Sequence, residues 1–271
     1  MTVSIIGLGW LGLPLAERLA VAGFGIIGSV TSLEKRDALA GKAFRTHQLQ
    51  LNPEPTGDLT ALLQTNILLI NIPPKAGKLG DDFHPLQVEY LTTAIQQSPI
   101  QHVIYASSTS VYPELNRIVV EEDSRDVRQS AAPGLSRAEQ IVQQLAPKRT
   151  VTIVRFGGLM GYDRIPAKYV AGRTVDTGTI PVNYIHRDDA VDVLLTLIQN
   201  SIEGVFNAVA PEHPNREAVY RKSCLDFGYV LPTFIEPNEP VSFKIVSSEK
   251  LRQATQYVFK YSNPLQFFYR Q

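Results

Sequence analysis

The sequence contains a single cysteine, no excess of charge of either sign and no long apolar run. Its single cysteine, Cys224, excludes an internal disulfide and favours a reducing compartment. Lys and Arg number 26, as do Asp and Glu, so the formal net charge of +0 offers no basic field to attract nucleic acid or an anionic membrane. No apolar run is long enough to span a bilayer, and Glu17 and Arg18 break up the first apolar segment, unlike a signal peptide.

These absences limit the classes of protein to which the chain could belong. The scattered histidines show no metal-ligand spacing, so we expect no metal site. We expect a cytoplasmic protein whose partner is a small molecule, with no nucleic acid and no membrane involved.

Strand-like and helix-like segments alternate along most of the chain. The apolar run at 67–70 (I-L-L-I) is typical of a strand buried on both faces of a parallel sheet. The predicted strands lie at about 2–6, 25–30, 44–51, 67–72, 101–107, 150–156 and 204–209, and the predicted helices at about 11–22, 57–64, 84–97, 134–146 and 188–200. This alternation predicts an α/β fold with a doubly wound parallel sheet, a Rossmann fold.

A glycine turn stands between the first predicted strand and the first predicted helix. Residues 3–12 read V-S-I-I-G-L-G-W-L-G, which is the G-x-G-x-x-G spacing of a dinucleotide-binding turn. Gly7 permits the tight turn, Gly9 leaves room for a pyrophosphate, and Gly12 lets the helix approach the strand. We therefore predict a cofactor site at Gly7, Gly9, Trp10, Leu11 and Gly12, the alternative being a tight turn that binds nothing.

The residues that follow the second strand indicate which dinucleotide is bound. No acidic residue ends this strand to hold a ribose 2′-hydroxyl, whereas Thr31, Ser32, Lys35 and Arg36 offer hydroxyls and cations suited to a 2′-phosphate. We predict NADP as the cofactor in preference to NAD. In the alternative interpretation Ser32 only caps a helix that starts near residue 33, and the two cations are solvated.

Downstream motifs resemble a known enzyme group. The segments 105–113 (Y-A-S-S-T-S-V-Y-P), 155–164 (R-F-G-G-L-M-G-Y-D-R), 183–190 (N-Y-I-H-R-D-D-A) and 204–208 (G-V-F-N-A) follow one another in the order and spacing of the extended short-chain dehydrogenases. The chain resembles in particular the nucleoside-diphosphate-sugar epimerase and dehydratase branch of that superfamily.

The resemblance implies roles for particular residues. Ser108 matches the serine or threonine that holds the reacting oxygen of the substrate, and Ser107 would lie beside the cofactor. Ile72, Pro73 and Pro74 end the strand along which the family lays its cofactor. The alternative is that the two serines only terminate a strand by bonding to nearby backbone.

A second group of residues is expected on the substrate side. It comprises Tyr112, which we expect to pack under the site, together with Gly157, Arg164, Asn183 and His186. The cations near Arg164 favour an anionic substrate. For His186 the alternative is a structural one, in which it orders the turn before a helix that Asp188 or Asp189 caps.

The catalytic Tyr-x-x-x-Lys pair of the superfamily is missing. None of the 11 tyrosines has a lysine four residues later. Depending on the alignment, the two positions hold Pro133 and Arg137 or Ala131 and Leu135. Hydride transfer to a carbonyl needs an acid such as this tyrosine, so the sequence points to the atypical branch, whose members often lack it.

Three functions remain open. The first is an NAD(P)-binding oxidoreductase- or epimerase-like enzyme, and the second is a non-catalytic NAD(P)-binding sensor. The third follows from residues 7–16 (G-L-G-W-L-G-L-P-L-A), which resemble the opening of β-hydroxyacid dehydrogenases. The strand and helix pattern predicts a dinucleotide-binding core of residues 1–156 plus 183–210 and a smaller substrate-side lobe of 157–182 plus 211–271. The family resemblance also implies a homodimer formed through the helices near 84–97 and 134–146.

Overall fold

The computed structural model describes residues 1–124 and 126–270. Its strands are β1 (Thr2–Ile6), β2 (Gly25–Val30), β3 (Arg45–Leu51), β4 (Pro55–Gly57), β5 (Ile67–Ile70), β6 (His102–Ser108), β7 (Arg117–Val119), β8 (Thr150–Phe156), β9 (Gly158–Met160), β10 (Thr174–Val175), β11 (Tyr184–His186), β12 (Gly204–Ala208), β13 (Thr233–Phe234) and β14 (Lys244–Val246). Its helices are α1 (Gly12–Val21), α2 (Leu33–Ala38), α3 (Leu59–Leu63), α4 (Ala76–Leu79), α5 (Phe83–Gln96), α6 (Pro133–Gln143), α7 (Ala167–Val170), α8 (Arg187–Gln199), α9 (Arg216–Phe227) and α10 (Glu249–Thr255).

Eight strands form one sheet in the order β12-β8-β6-β5-β1-β2-β3-β4. The central pairs β6-β5, β5-β1, β1-β2 and β2-β3 are parallel. The predicted doubly wound sheet is confirmed, and each of the seven predicted strands has a counterpart in it. The short edge strand β4, antiparallel to β3, was not predicted because a three-residue strand carries too little pattern.

The apolar sequence runs account for the centre of the sheet. All four residues of β5 are buried, as are four of the five in β1, because helices cover both faces of a doubly wound sheet. Leu15 and Leu19 of α1 are fully buried, as the helical spacing of four residues requires for one apolar face.

The chain divides into two compact units. Unit 1 comprises Met1–Val111, Ser124–Arg155 without residue 125, and Val191–Phe206, whereas unit 2 comprises Tyr112–Asp123, Phe156–Ala190 and the described residues from Asn207 onward. The predicted boundaries differ from this division at 112–123, 156, 183–190 and 207–210, which they assign to the core. In the structure β7 pairs with β14 and β11 with β9, both within unit 2. The β7–β14 pair joins residues more than a hundred positions apart, and no local pattern announces such a pair.

Unit 2 has its own small core. Ile165, Ala167 and Cys224 are fully buried there, and α9 supplies one wall. Asn215 caps the start of α9 by accepting a hydrogen bond from the Ala218 N–H at 2.8 Å. The sequence pattern weakens after residue 210 because α9 buries few of its side chains.

No helix in the described ranges has the length and apolar character needed to cross a bilayer. Within the same ranges, no group of three or more His, Cys, Asp or Glu side chains is arranged to hold a metal ion.

Candidate functional site

The three glycines of the first turn meet different surroundings. Gly7 has a φ of +108°, and a Cβ built there would lie 2.3 Å from the Asn71 carbonyl oxygen. A Cβ on Gly12 would lie 2.2 Å from the Gly7 carbonyl oxygen. A Cβ on Gly9, in contrast, would have no other described atom within 4 Å. The fold itself therefore requires glycine at positions 7 and 12, while the space beside Gly9 is open to a ligand.

Two polar side chains hold this turn in place. The Gly7 N–H donates to Ser29 Oγ at 3.2 Å, and the Leu8 N–H donates to the Ser29 carbonyl at 2.8 Å. From the other side, Asn71 Nδ2 donates to the Gly7 carbonyl at 3.0 Å. The residues that follow β5 and end β2 thus fix the turn that follows β1. Neither side chain was predicted to do this, because both are remote from the turn in sequence.

Helix α1 begins directly after the turn. Leu11 stands at its N-cap position, and no side chain caps the helix there. The Leu13 N–H already donates to the Gly9 carbonyl at 3.0 Å and Pro14 has no N–H, so the helix start attracts an anion chiefly through the positive end of its dipole.

A cleft of about 380 Å³ opens beside the turn, at the carboxyl ends of β1, β2, β3 and β5. This is the edge at which doubly wound sheets bind nucleotides, and the volume lies in the range of small-molecule sites. Its lining includes two cations, Lys35 and Lys75, and no Asp or Glu. The cleft therefore suits a negatively charged ligand.

The predicted cofactor residues divide into two sets. Those that line the cleft are Gly7, Gly9, Thr31, Lys35, Ile72 and Pro73. Those that do not are Trp10, Leu11, Gly12, Ser32, Arg36, Pro74, Ser107 and Ser108. The cleft also contains amide side chains that sequence reasoning missed, Gln50, Asn52 and Gln87.

The residues after β2 divide between the two interpretations of this segment, helix capping and cofactor binding. Ser32 Oγ accepts from the Lys35 N–H at 3.3 Å and so caps α2. Arg36 is paired with Asp37 at 2.8 Å, whereas the Lys35 side chain makes no ion pair or hydrogen bond with the described residues. Lys35 and Thr31 are thus the two predicted residues of this segment that face the cleft.

A hydrogen-bonded chain supports the wall formed by α5. Gln87 Nε2 donates to the Leu51 carbonyl at 2.7 Å, so its Oε1 accepts from His84 Nδ1 at 3.2 Å. His84 Nε2 then accepts from the Tyr105 hydroxyl at 2.5 Å. Burial lowers the pKa of His84 and raises that of Tyr105, so both side chains stay neutral.

The serines at the end of β6 have separate partners. Ser107 is buried, and its hydroxyl donates to Glu139 at 2.5 Å. Glu139 is in turn paired with Arg155 at 2.6 Å, both side chains being almost completely buried. Ser108 is more accessible and accepts from the Ser110 N–H at 3.1 Å, which leaves its hydroxyl proton available to a substrate.

In the segment where the superfamily carries its tyrosine and lysine, the side chains are engaged in hydrogen bonds and an ion pair within the protein. Ser130 Oγ donates to the Val111 carbonyl at 2.9 Å, and Ser136 Oγ donates to Ser130 Oγ at 2.7 Å. Arg137 reaches instead to the Asp82 carboxylate at 2.6 Å and the Asp81 carbonyl at 3.1 Å. The cation at one possible lysine position is therefore bound to the loop before α5.

The predicted substrate-side residues all lie in unit 2. Tyr112 is fully buried, and its hydroxyl donates to Asn207 Oδ1 at 2.7 Å. The Asn207 N–H donates in turn to Glu121 Oε1 at 2.8 Å. Burial raises the pKa of Glu121. Tyr112 is thus a packed, hydrogen-bonded residue, and its position under the site stays a prediction.

Asn183 joins two segments of unit 2. Its Nδ2 donates to the Lys244 carbonyl at 2.9 Å, and its Oδ1 accepts from the Val246 N–H at 2.8 Å. Lys244 Nζ donates to the Tyr112 carbonyl at 2.7 Å and pairs with Glu114 at 2.9 Å. The structure therefore brings Tyr112 and Asn183 together through Lys244, which sequence reasoning missed.

Gly157 and Arg164 stand at the two ends of the segment around β9. A Cβ on Gly157 would lie 2.5 Å from the Asn183 carbonyl oxygen, so packing alone accounts for this glycine. Arg164 is half-buried, and its N–H donates to the Gly161 carbonyl at 3.1 Å.

His186 is a buried ordering residue in the structure. Its Nε2 donates to the Phe268 carbonyl at 3.0 Å, and its Nδ1 accepts from the Asp188 N–H at 3.2 Å. The ring lies 3.9 Å from the Tyr261 ring, centroid to centroid. Burial lowers its pKa. His186 thus bonds the first turn of α8, as the structural alternative for this residue expects.

The neighbouring Asp189 holds the C-terminal segment. Its carboxylate accepts from the Tyr257 hydroxyl at 2.8 Å and from the N–H groups of Lys260 and Tyr261 at 2.7 and 3.0 Å. It is fully buried, and burial raises its pKa against the effect of these bonds.

The arrangement of sheet, turn and cleft can be compared with solved structures. The UDP-glucose 4-epimerase of Thermus thermophilus, solved in complex with NAD, has a TM-score of 0.77 at 14% identity, covering 98% of this chain and 97% of that chain. MoeE5, solved with UDP-glucose and NAD, has a TM-score of 0.76 at 16% identity, with coverage of 97% and 95%. The chain therefore has the fold of the epimerase-like short-chain dehydrogenases.

A curated relative shows the family to which the chain belongs. Protein YeeZ of Escherichia coli strain K12 is 30% identical over 267 residues, which cover 97% of each chain. The chain belongs to the YeeZ family. No protein-family model matches it. The epimerase-like fold also disfavours the β-hydroxyacid dehydrogenase interpretation, which rested on residues 7–16 alone.

Proposed function

We propose that the cleft binds a nicotinamide dinucleotide and that NADP is preferred to NAD. The observation that carries this proposal is the open space at Gly9, in a turn whose other two glycines are required by packing. The turn leads into an uncapped helix N-terminus, so the residues present fit a pyrophosphate. The two similar structures were solved with NAD, which supports the same class of cofactor.

The preference for NADP rests on the charge of the cleft. Lys35 and Thr31 line it at the end of β2, and no carboxylate does. A carboxylate there would accept from a 2′-hydroxyl and repel a 2′-phosphate, whereas an ammonium attracts the phosphate. Fluorescence titration with NADPH and NADH tests this preference, and tighter binding of NADH would contradict it.

A matched pair of glycine variants tests the site itself. Gly9→Ala adds a methyl group where no described protein atom is near, so we expect an unchanged unfolding midpoint and NADPH affinity lowered at least about tenfold. Gly12→Ala places its methyl group against the Gly7 carbonyl, so we expect it to lower both stability and affinity. Unchanged NADPH binding by Gly9→Ala would refute the proposed site.

The proposed activity is that of an atypical epimerase- or oxidoreductase-like enzyme. A bound nicotinamide ring would donate or accept a hydride, and Ser108 would hold the reacting substrate oxygen with its hydroxyl. The substrate would be a small, anionic molecule such as a sugar nucleotide, the class that MoeE5 was solved with. We propose that the protein acts in the cytoplasm and that it forms a homodimer through α5 and α6, the dimer being what the sequence resemblance implies.

Turnover by a Ser108 variant tests this activity. NADPH oxidation or NADP⁺ reduction is measured against a panel of carbonyl compounds and sugar nucleotides. Ser108→Ala should lose turnover by about 10²-fold or more while it still binds NADPH, because this hydroxyl has only a local backbone partner. Equal turnover by the variant would remove Ser108 from the mechanism.

A second function, a non-catalytic NAD(P) sensor, is favoured by one observation. The segment that would carry the tyrosine and lysine is filled by the Ser130–Ser136 bond and by the Arg137–Asp82 pair. In that case the substrate panel gives no turnover, and cofactor binding changes the association state or partner binding of the chain instead.

A further inference from the structure

The side-chain amide of Gln87 has one favourable orientation at the wall of the cleft. One of its polar atoms lies 2.7 Å from the Leu51 carbonyl oxygen, which accepts hydrogen bonds and cannot donate one. The nitrogen Nε2 therefore faces Leu51, and the oxygen Oε1 faces His84 Nδ1 at 3.2 Å. Leu51 lines the cleft, as Gln87 does, whereas His84 does not. The amide nitrogen is thus on the side of the cleft and the amide oxygen on the side of the interior.

The Gln87 nitrogen has a second proton that no protein group accepts. An amide nitrogen carries two protons, and the Leu51 carbonyl accepts one of them. Among residues 1–124 and 126–270, no further acceptor lies within hydrogen-bond distance of this nitrogen. Gln87 is only 6% exposed, and a nearly buried donor without an acceptor costs free energy. A ligand in the cleft that offers an acceptor atom removes this cost.

Two buried side chains behind the cleft hold the amide in this orientation. His84 Nδ1 carries the proton that Gln87 Oε1 accepts, so His84 Nε2 has none and accepts from the Tyr105 hydroxyl at 2.5 Å. Both side chains are almost completely buried, and neither lines the cleft. If the amide were turned over, its nitrogen would meet the proton on His84 Nδ1 and its oxygen would meet the Leu51 carbonyl. Both contacts are repulsive, so the hydrogen-bonded chain selects a donor, not an acceptor, for the cleft.

We propose that His84 and Tyr105 are positioning residues for the dinucleotide and that they act through Gln87. They keep the amide nitrogen of Gln87 toward the cleft, where its second N–H donates to an acceptor atom in the part of the dinucleotide that NAD and NADP share. The inference rests on the proposed function and deepens it, since it concerns the same cleft. Neither positioning residue touches the ligand, so the effect of each on affinity requires the Gln87 amide.

A double-mutant cycle on the full chain tests this requirement. Dissociation constants for NADPH and NADH are measured for the wild type, Gln87→Met, His84→Phe and the double variant. Gln87→Met keeps the length of the side chain and removes its hydrogen bonds, so it should weaken both dinucleotides by about fivefold. His84→Phe should weaken both by about threefold, because the freed amide must be ordered again on binding. In the Gln87→Met background, His84→Phe should change neither dissociation constant further.

Two more variants separate positioning from a general loss of stability. His102→Phe is the matched control, because His102 is another buried histidine of unit 1 that bonds to a hydroxyl group and does not line the cleft. It should lower the urea midpoint of unfolding and leave both dissociation constants unchanged. Tyr105→Phe removes a single oxygen and should weaken binding in the same direction as His84→Phe. It takes the place of His84→Phe in the cycle if that variant does not fold.

The possible outcomes are distinguishable. Equal losses from His84→Phe with and without the Gln87 amide would overturn the inference, since a general distortion of α5 does not act through that amide. Wild-type affinities in Gln87→Met would overturn it as well, because no N–H of Gln87 would then contact the ligand. A wild-type chain that binds neither dinucleotide would instead overturn the proposed function itself.

Discussion

Acid should destabilise unit 1 through one buried histidine, His102. Its Nε2 lies 2.7 Å from Thr152 Oγ1, and the Thr152 hydroxyl donates its single proton to the Ile202 carbonyl at 2.6 Å. His102 must therefore carry its proton on Nε2 and donate it to Thr152. Its Nδ1 is buried and has no hydrogen-bond partner in the described part of the chain, so a second proton there would find no acceptor.

The magnitude follows from the pKa of this side chain. Burial lowers the pKa of His102 from 6.5 to about 4. The unfolded chain therefore binds a proton at a higher pH than the folded chain does, and stability is lost as pH falls from the unfolded pKa to the folded one. Integration over this window gives a loss of about 2 kcal/mol by about pH 5 and about 3 kcal/mol below the folded pKa.

Urea unfolding of His102→Gln measures this contribution. The glutamine amide keeps a donor for Thr152 and has no titratable group. The free energy of unfolding is taken at about pH 7.5 and about pH 5, with the fluorescence of Trp10, the single tryptophan of the chain, reporting on unit 1. We expect the loss between the two pH values to be smaller in the variant than in the wild type by about 2 kcal/mol.

A control variant accompanies this measurement, and one outcome would contradict the argument. Thr152→Ser keeps the hydroxyl and removes a buried methyl group, so it should lower stability equally at both pH values. Burial also lowers the pKa of His84, so part of the acid sensitivity should persist in every variant. If His102→Gln loses as much stability at low pH as the wild type does, the argument from the partnerless Nδ1 is wrong.

Local patterns accounted for the sheet and for the glycine turn. The strand Ile67–Ile70 is a run of four apolar residues, and its burial on both faces requires no knowledge of distant residues. The same holds for the turn, since Gly7 and Gly12 meet one another across five positions. Features that depend on neighbours along the chain are the ones that periodicity can predict.

Features that depend on contacts between residues far apart in the sequence could not be predicted from local patterns. Asn71 bonds to Gly7 across 64 positions, and Asn183 bonds to Lys244 across 61. Each side chain is polar and ordinary in its own segment, so only the fold shows its role. The segment after residue 210 is the extreme case, because its short strands β13 and β14 pair with β10 and β7 far upstream.

The resemblance of the downstream motifs to a known family predicted the roles of some residues better than those of others. It placed Ser108 at the end of a strand, where the structure has it half-buried. It also marked His186 and Gly157, for which the structure provides packing reasons. A family motif combines residues that contact a ligand with residues that serve folding, and only the contacts of each side chain separate the two.

Two further predictions concern buried carboxylates. Asp189→Asn replaces an acceptor of three hydrogen bonds with an amide that cannot accept at both of its atoms. The C-terminal segment should then be cleaved faster by a protease, while a surface control, Asp226→Asn, should resist like the wild type. Glu139→Gln removes the carboxylate that Arg155 meets at 2.6 Å with both side chains almost completely buried. Because a buried guanidinium is left without its counter-charge, the free energy of unfolding should fall by about 3–5 kcal/mol. Urea unfolding followed by Trp10 fluorescence measures this fall beside Glu122→Gln, whose carboxylate is exposed. A cost for Glu139→Gln no greater than that of the control would mean that the buried pair contributes little to holding β8 against α6.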